Sequence, residues 1–306
     1  RKIQQHKIHR LVWQSASVAA VFMIVLFSVL FTRENRPPES SVVNDVPVAG
    51  KTQAVLSLPD GRQVALGNEK EQDTAWMKYV EACTIESKAT TEPADIKIEV
   101  ARGGEYKIRL EDGTTVWLNS ESSLIYPEKF TGDKRAVRLS GEGYFEVARD
   151  EKKSFIVSVT DMEIKVLGTK FNVTAYQDEK MTTTTLISGA VEVVTPHRSV
   201  QLQPGKQAMV QEGGDDITVL EVDVELATSW TAGIFKFDKM ALTDICTRLS
   251  RWYDIDFVFE GETGKEKFTG GTWKYVPLKD FLSKIERVTN VLFLFENNTV
   301  RVVPKK

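Results

Sequence analysis

The chain has 306 residues, of which 42% are hydrophobic and 27% are charged, a composition typical of globular proteins with room for more than one domain. The net charge is −3, and because the first 40 residues carry +4, the remainder carries −7, which argues against nucleic acid as a direct partner. Beyond residue 40 the only histidine is His197, and no glycine-rich phosphate-binding motif occurs. Zinc chemistry, Ser-His-Asp catalysis and nucleotide binding therefore have no support, and we expect no cofactor and no metal.

An apolar run occupies residues 11–31, close to the start of the chain. At a rise of 1.5 Å per residue a helix of this length spans about 31 Å, which matches a hydrocarbon core of about 30 Å. We therefore predict a single transmembrane helix that contacts the lipid bilayer over this range. The flank 1–10 carries four basic residues and no acid, so the N-terminus should lie in the cytoplasm. A signal peptide is the alternative, but residues 32–36 offer no small-residue cleavage site.

Residues 32–50 contain three prolines among polar residues and indicate a semi-extended linker. Beyond the linker, residues 51–230 show the short, alternating apolar segments of β-strands. The pattern L-x-D-G-x-x-V-x-L occurs twice there and predicts two hairpins. The four hairpin strands are expected at residues 54–58 with 64–66, and at 106–110 with 116–118. Residues 69–94 are polar and are not assigned to an element.

After Asn119 the strand pattern continues at short spacing, with turns between the strands and no long helical period. The strands are predicted at residues 136–139, 144–147, 155–159, 163–167, 171–176, 182–187, 191–194, 200–202 and 207–210. So many half-buried strands favour two sheets packed face to face, as a β-sandwich or jelly roll. The aromatic side chains expected to fill its core are Trp117, Tyr144, Phe145, Phe155 and Phe171.

Residues 231–306 change character and contain an internal repeat. The segment 240–260 aligns without gaps on 276–296, with leucine, aspartate, arginine and phenylalanine at matching positions. Each copy shows apolar residues at the i, i+3, i+4, i+7 spacing of a helix and then an apolar strand. With strands at 234–237, 268–272 and 299–303, this predicts a small α+β domain of two βαβ-like halves. Such a unit leaves a sheet face or edge open to a partner.

Several motifs in chain order carry a family likeness. They are Arg102-Gly-Gly-Glu-Tyr106, Leu110-Glu-Asp-Gly-Thr-Thr-Val-Trp-Leu-Asn119, Ser122-Ser-Leu-Ile-Tyr-Pro127, Phe130-Thr-Gly132, Leu139-Ser-Gly-Glu-Gly-Tyr-Phe-Glu-Val147, Val166-Leu-Gly-Thr-Lys-Phe-Asn-Val173 and Gln203-Pro-Gly205. Together they resemble the periplasmic domain of FecR-like anti-sigma factors. Residues 231–306 are similar to the small C-terminal domain that often follows it, itself like the short signalling domains of secretins and TonB-dependent transporters.

The resemblance implies an inner-membrane signal transducer. Its periplasmic part would contact the signalling domain of a ligand-loaded outer-membrane TonB-dependent transporter. Its cytoplasmic part would bind an extracytoplasmic-function sigma factor, through a helical region expected upstream of Arg1. The resemblance implies no metabolic enzyme, and it leaves open whether the protein inhibits or activates the sigma factor.

The resemblance also points to one bond at which chemistry could occur. Some relatives resemble self-processing proteins that break the Gly-Thr bond of the V-L-G-T-x-F motif, which here is Gly168-Thr169. The hydroxyl of Thr169 would attack the carbonyl of Gly168 and form an ester that water then opens, which requires a base. The alternative is that Gly168 only turns the chain between two strands.

Four aromatic residues in the repeat domain are candidates for partner binding: Trp252, Tyr253, Trp273 and Tyr275. Two lie at the end of a helix and two at the end of a strand, where packing or protein contact is expected. The alternative function is a membrane-anchored glycan-binding module in which these four rings form a stacking surface. Exposed, coplanar rings beside carboxylates would support glycan binding, whereas an uncovered β-edge would support protein recognition.

Overall fold

The computed structural model describes residues 48–67 and 95–305, and these belong to one compact unit. The predicted flank 1–10, the membrane helix 11–31, the linker up to residue 47 and the unassigned stretch 69–94 lie outside the described residues. Among the residues that are described, no helix is long and apolar enough to cross a membrane.

Sixteen of the described strands form two sheets, and we call this part the β region. In chain order these strands are β1 Lys51–Thr52, β2 Ala54–Ser57, β3 Gln63–Leu66, β4 Asp95–Val100, β5 Gly104–Arg109, β6 Thr115–Leu118, β7 Ser122–Pro127, β8 Arg135–Glu146, β9 Phe155–Ser158, β10 Glu163–Val166, β11 Lys170–Ala175, β12 Met181–Ser188, β13 Val191–Val194, β14 Ser199–Leu202, β15 Lys206–Gln211 and β16 Ile217–Glu221.

The two sheets share one long strand, β8. The first sheet has the order β3-β2-β4-β7-β8-β9-β10-β13-β14, and the second has the order β1-β5-β6-β8-β11-β12-β15-β16. The predicted hairpins are confirmed as the antiparallel pairs β2–β3 and β5–β6. Buried side chains from both sheets form one hydrophobic core, so a mainly β fold is confirmed.

Strand β8 corrects the prediction of two separate strands at 136–139 and 144–147. Its N-terminal half pairs with β7 and β9, and its C-terminal half pairs with β6 and β11. Gly141 lies between the halves with φ +91°, and a Cβ there would collide with Ser122. Only glycine suits such a conformation and such a close approach, so the chain passes from one sheet to the other without a break in pairing.

The aromatic residues of the β region divide according to the two-residue period of a strand. Phe145, Phe155 and Phe171 are fully buried, and the rings of Phe145 and Phe171 stack 5.0 Å apart. Trp117 and Tyr144 lie on the opposite face of the same sheet, where their rings meet edge to face at 5.4 Å. The core prediction is therefore right for the three phenylalanines and wrong for the other two, because neighbours along a strand point to opposite faces.

A short helix, α1 (Val224–Thr228), and a 3₁₀ turn (Ser229–Ala232) lead from the β region to the C-terminal region. The elements of the C-terminal region are β17 Ile234–Ala241, α2 Leu242–Tyr253, β18 Asp256–Phe259, β19 Lys267–Trp273, α3 Leu278–Val288, β20 Val291–Glu296 and β21 Thr299–Pro304. Both helices follow the predicted repeat, and the α+β character of this region is confirmed.

The strands of the C-terminal region pair differently from two βαβ units. The first strands of the two repeats, β17 and β19, pair with each other in an antiparallel two-stranded sheet. The second strands, β18 and β20, flank β21 in a separate three-stranded sheet. The repeat therefore predicts the order of helices and strands correctly. It does not predict the pairing, because the two strands of each half belong to two different sheets. The helices and sheets enclose a second core, distinct from that of the β region.

Candidate functional site at the junction of the two regions

The four predicted aromatic residues do not form one surface. Trp252 and Tyr253 are buried, with 1% and 3% of their area exposed, whereas Trp273 and Tyr275 are 58% and 49% exposed. The buried pair lies at the C-terminal end of α2, next to the β region. A continuous stacking surface of all four rings is therefore absent from the described structure, and the exposed pair is what a partner could reach.

The burial of Trp252 and Tyr253 follows from the helix period. Leu242, Ile245, Cys246 and Leu249 are buried, and positions 252 and 253 continue the same stripe by steps of three and four. Their polar atoms hold the segment that follows β19, because Trp252 Nε1 donates to the Lys274 carbonyl at 2.7 Å and the Tyr253 hydroxyl donates to the Val276 carbonyl at 2.6 Å. The two rings position the residues between β19 and α3.

Lys274 is the most unusual charge in the described structure, since its side chain is completely buried. Its ammonium donates to Glu105 Oε2 of strand β5 at 2.7 Å and lies 3.8 Å from the ring centre of Trp252. Burial lowers the pKa of Lys274, and the Glu105 carboxylate opposes that shift. This ion pair joins residues 169 positions apart and links the C-terminal region to the β region.

Tyr275 adds a second bond to the same carboxylate. Its hydroxyl donates to Glu105 Oε1 at 2.9 Å, and its ring meets Trp252 edge to face at 5.7 Å. Burial, followed by the Glu105 charge, raises the pKa of Tyr275 to about 12, so the hydroxyl remains a donor at neutral pH. Both oxygens of Glu105 are thus occupied by donors from the C-terminal region.

Arg251 forms a second buried link between the regions. Its guanidinium is 5% exposed, stacks 3.6 Å from the ring of Tyr176 and bonds Asp178 at 2.7 Å and Glu179 at 2.6 Å. Its Nε also lies 3.3 Å from Glu121 Oε2. The planar fork of arginine suits this arrangement, because it can stack on a ring and bond several carboxylates at once.

A third link runs in the opposite direction, from the β region to the end of α2. Arg102, in the turn before β5, bonds Asp256 at 2.9 Å and the Ile255 carbonyl at 2.7 Å. Its Nε lies 3.3 Å from Asp254, which has a left-handed φ of 49° at the end of α2. We call the residues of these three links and the rings that cover them the junction.

The Gly168-Thr169 bond lies far along the β region, between β10 and β11. Thr169 is buried, and its hydroxyl donates to the Ala190 carbonyl at 2.9 Å. A Cβ at position 168 would lie 2.7 Å from the Arg149 Cα, so packing alone requires glycine there. No carboxylate or histidine bonds the Thr169 hydroxyl in the part of the chain that the structure describes, although Glu151 and Glu192 line the same cavity as the Gly168-Thr169 bond.

Within residues 48–67 and 95–305, no group of three or more His, Cys, Asp and Glu side chains is placed to hold a metal ion. The chemistry of the junction is that of opposite charges and hydrogen bonds rather than of a nucleophile or a metal. Sequence reasoning missed Glu105, Lys274 and Arg251. Glu105 stands in the quoted Arg102-to-Tyr106 motif, but no local pattern marks the two cations as buried.

The comparisons with known proteins agree with this two-part architecture. The family described as "FecR protein" matches residues 96–192, and the family described as "FecR, C-terminal" matches residues 234–302. Two crystal structures of a candidate anti-sigma factor from Parabacteroides distasonis ATCC 8503, at 1.65 Å and 2.50 Å resolution, are each 30% identical to this chain with a TM-score of 0.64. The match covers 69% of this chain and 99% and 100% of theirs. No curated protein matches the chain.

The fold and the junction define a protein of two parts, a β region of two sheets and a small α+β region bonded to it. The chain belongs to the FecR family of anti-sigma factors. This membership indicates a non-enzymatic regulator that acts in signal transduction.

Proposed function

We propose that this protein is an inner-membrane anti-sigma factor that relays ligand occupancy of an outer-membrane TonB-dependent transporter to a cytoplasmic extracytoplasmic-function sigma factor. The predicted helix 11–31 would anchor it, with the N-terminus in the cytoplasm and residues 51–306 in the periplasm. FecR family proteins are typically membrane-anchored, which supports this topology. The observation that carries the proposal is the family match over both regions, in order, on one chain.

The C-terminal region supplies the surfaces that a periplasmic protein partner could use. Strand β20 is an edge of the three-stranded sheet, and its Leu292 and Leu294 are 36% and 42% exposed. Trp273, at the end of β19, is the most exposed aromatic of the four predicted residues. Unpaired strand edges and exposed tryptophan are common elements of protein recognition, so they support a protein partner.

A relay needs a partner that binds two states of this protein with different affinity. The junction provides an element that can differ between two states, because its charged links can be made or broken as a group. In the proposed relay, the transporter's signalling domain binds the C-terminal region, and the junction carries the effect to the β region. The direction of control, inhibitory or activating, is left open by the proposal.

The proposal predicts selective capture of a TonB-dependent transporter. Tagged residues 32–306, but not 32–230, should enrich such a transporter from solubilised envelopes, as measured by quantitative mass spectrometry. Trp273→Ser in the longer bait should reduce enrichment about tenfold, because an exposed tryptophan at an interface commonly carries a large share of the binding energy. Trp117→Ser, on the β region, is the matched control and should leave enrichment unchanged.

Equal enrichment by both baits would place recognition outside the C-terminal region. Recovery of no transporter by either bait would contradict the proposed partner and favour the glycan-binding alternative. Burial of Trp252 and Tyr253 removes half of the stacking surface on which that alternative depends, so protein recognition is the better supported function.

Self-cleavage at Gly168-Thr169 is a separate part of the proposal. If the bond breaks by attack of the Thr169 hydroxyl, wild-type protein should give two bands in denaturing electrophoresis and Thr169→Ala should give one. Thr174→Ala, in the strand that follows Thr169, is the control and should still give two bands. A single intact band from the wild type would contradict self-cleavage and leave Thr169 as a donor to Ala190 only.

A further inference from the structure

The chain enters the β region through a very short strand. Strand β1 has two residues and pairs with β5 alone among the described strands. The Lys51 amide donates to the Gly103 carbonyl at 2.9 Å, and the Gln53 amide donates to the Glu105 carbonyl at 3.0 Å. The Gln53 side-chain amide also donates to the Gly103 carbonyl at 3.3 Å. A strand of two residues is a short attachment, so the position of β1 depends on how firmly residues 103–105 are held.

Residues 103 and 105 are themselves held by the C-terminal region. The Gly103 amide donates to the Arg251 carbonyl at 2.7 Å, and the Glu105 carboxylate accepts from Lys274 and Tyr275 at 2.7 Å and 2.9 Å. The backbone of each of these two residues thus bonds Lys51 or Gln53, and another group of the same residue bonds the C-terminal region. Arg251 is therefore connected to Lys51 through Gly103, and Lys274 is connected to Gln53 through Glu105.

The residues before β1 also touch the C-terminal region directly. Ala49 packs against the C-terminal core, and Gly50 lies against the ring of Trp252. A Cβ added at position 50 would lie 2.6 Å from a ring atom of Trp252, closer than any real contact. Because Trp252 is buried and bonded through Nε1, its ring cannot move aside freely. We call residues 49–53 the entry segment.

We infer that the C-terminal region holds the entry segment in place, so that opening the junction releases the chain at the point where it enters the β region. The effect does not have to cross the core of the β region, since Trp252, Arg251 and Lys274 reach the entry segment directly or through residues 103–105. That this contact passes a signal rests on the proposed function, whereas the contact between the C-terminal region and the entry segment is independent of that function.

Hydrogen–deuterium exchange, read by mass spectrometry on the full chain in detergent, tests the inference. Lys274→Met should accelerate exchange in residues 50–54 about tenfold at labelling times short enough that peptides from β11 and from β20–β21 stay protected in both proteins. Lys170→Met is the matched control, because Lys170 pairs with Glu146 at the same 2.7 Å but is half exposed and lies away from the junction. Wild-type protection of residues 50–54 in Lys274→Met, with faster exchange confined to residues 273–276, would overturn the inference.

A second variant approaches the same contact from the other side and decides the outcome if Lys274→Met unfolds the C-terminal region. Gly50→Ala should accelerate exchange in residues 251–256 several-fold, because coupling between two sites is reciprocal. Gly132→Ala is the control, since a Cβ at position 132 meets no atom within 4 Å and its φ requires no glycine. Unchanged exchange in residues 251–256 of Gly50→Ala would overturn the inference. No partner is present in this experiment, so its result is independent of the transporter capture.

Discussion

Replacing Lys274 by methionine should lower the free energy of unfolding by about 3 kcal/mol, because it removes one member of a buried ion pair and leaves the other without its charge partner. Lys274 is fully buried, and the Glu105 side chain is only 19% exposed. Methionine keeps most of the volume packed against Trp252, so the loss reflects charge rather than a cavity. Urea unfolding followed by tryptophan fluorescence measures the change.

Two further variants separate the ion pair from other effects. Lys170→Met removes a pair of the same length that is half exposed, and should cost about 0.5 kcal/mol or less. Adding Glu105→Gln to Lys274→Met should restore about 1 kcal/mol or more, because the uncompensated carboxylate is gone while the Tyr275 bond has an acceptor. A double variant that loses the sum of the two single losses would show that the two groups act independently.

Arg251→Lys should lower the free energy of unfolding by about 2 kcal/mol although it keeps the charge, since lysine cannot stack on Tyr176 while bonding Asp178 and Glu179. The variant also leaves Glu121, Asp178 and Glu179 close together with less compensation. Urea unfolding measures the loss, and added salt should reduce it because these carboxylates are partly exposed.

Arg248→Lys is the matched control for this prediction. Arg248 lies one turn earlier on α2 and is exposed, so its replacement by lysine should leave the urea midpoint unchanged. Equal effects of the two substitutions would mean that Arg251 contributes only a general surface charge, which its burial and its stacking on Tyr176 argue against.

The buried charges of the junction are better explained by specificity than by stability. Replacing a whole buried ion pair by apolar residues is often neutral or stabilising, whereas breaking it is costly. Lys274 with Glu105, and Arg251 with its carboxylates, therefore favour one arrangement of the two regions over others. An apolar contact would hold the regions together without fixing their relative position so strictly.

Local patterns were sufficient for much of the fold. The two hairpins and the two repeated helices follow from residues within about 20 positions of one another, and the structure has them all. The sequence predicts two strands in place of β8 because Ser140 and Gly141 indicate a turn, although the backbone pairing continues through them. Each half contributes one strand to each of the two sheets, and this depends on pairing between strands far apart in the sequence, which no local pattern indicates.

The candidate site was less predictable, for two physical reasons. The sequence leaves packing and partner contact both open for Trp252 and Tyr253, although the stripe that begins at Leu242 reaches them by the same steps of three and four. That signal was present in the sequence. Lys274 and Arg251 gave no such signal, since a charged residue becomes stable inside a protein only through partners that the fold brings from distant positions.

Transcription in the native host tests the central claim, that this chain regulates a sigma factor, more directly than any binding assay. RNA sequencing should compare the wild-type strain with one that lacks the codons for residues 231–306. We expect one set of transcripts with a shared promoter sequence to rise or fall together, and the set to include a TonB-dependent transporter. An unchanged transcriptome, or scattered changes without a shared promoter, would contradict the assignment of this protein as a regulator in that relay.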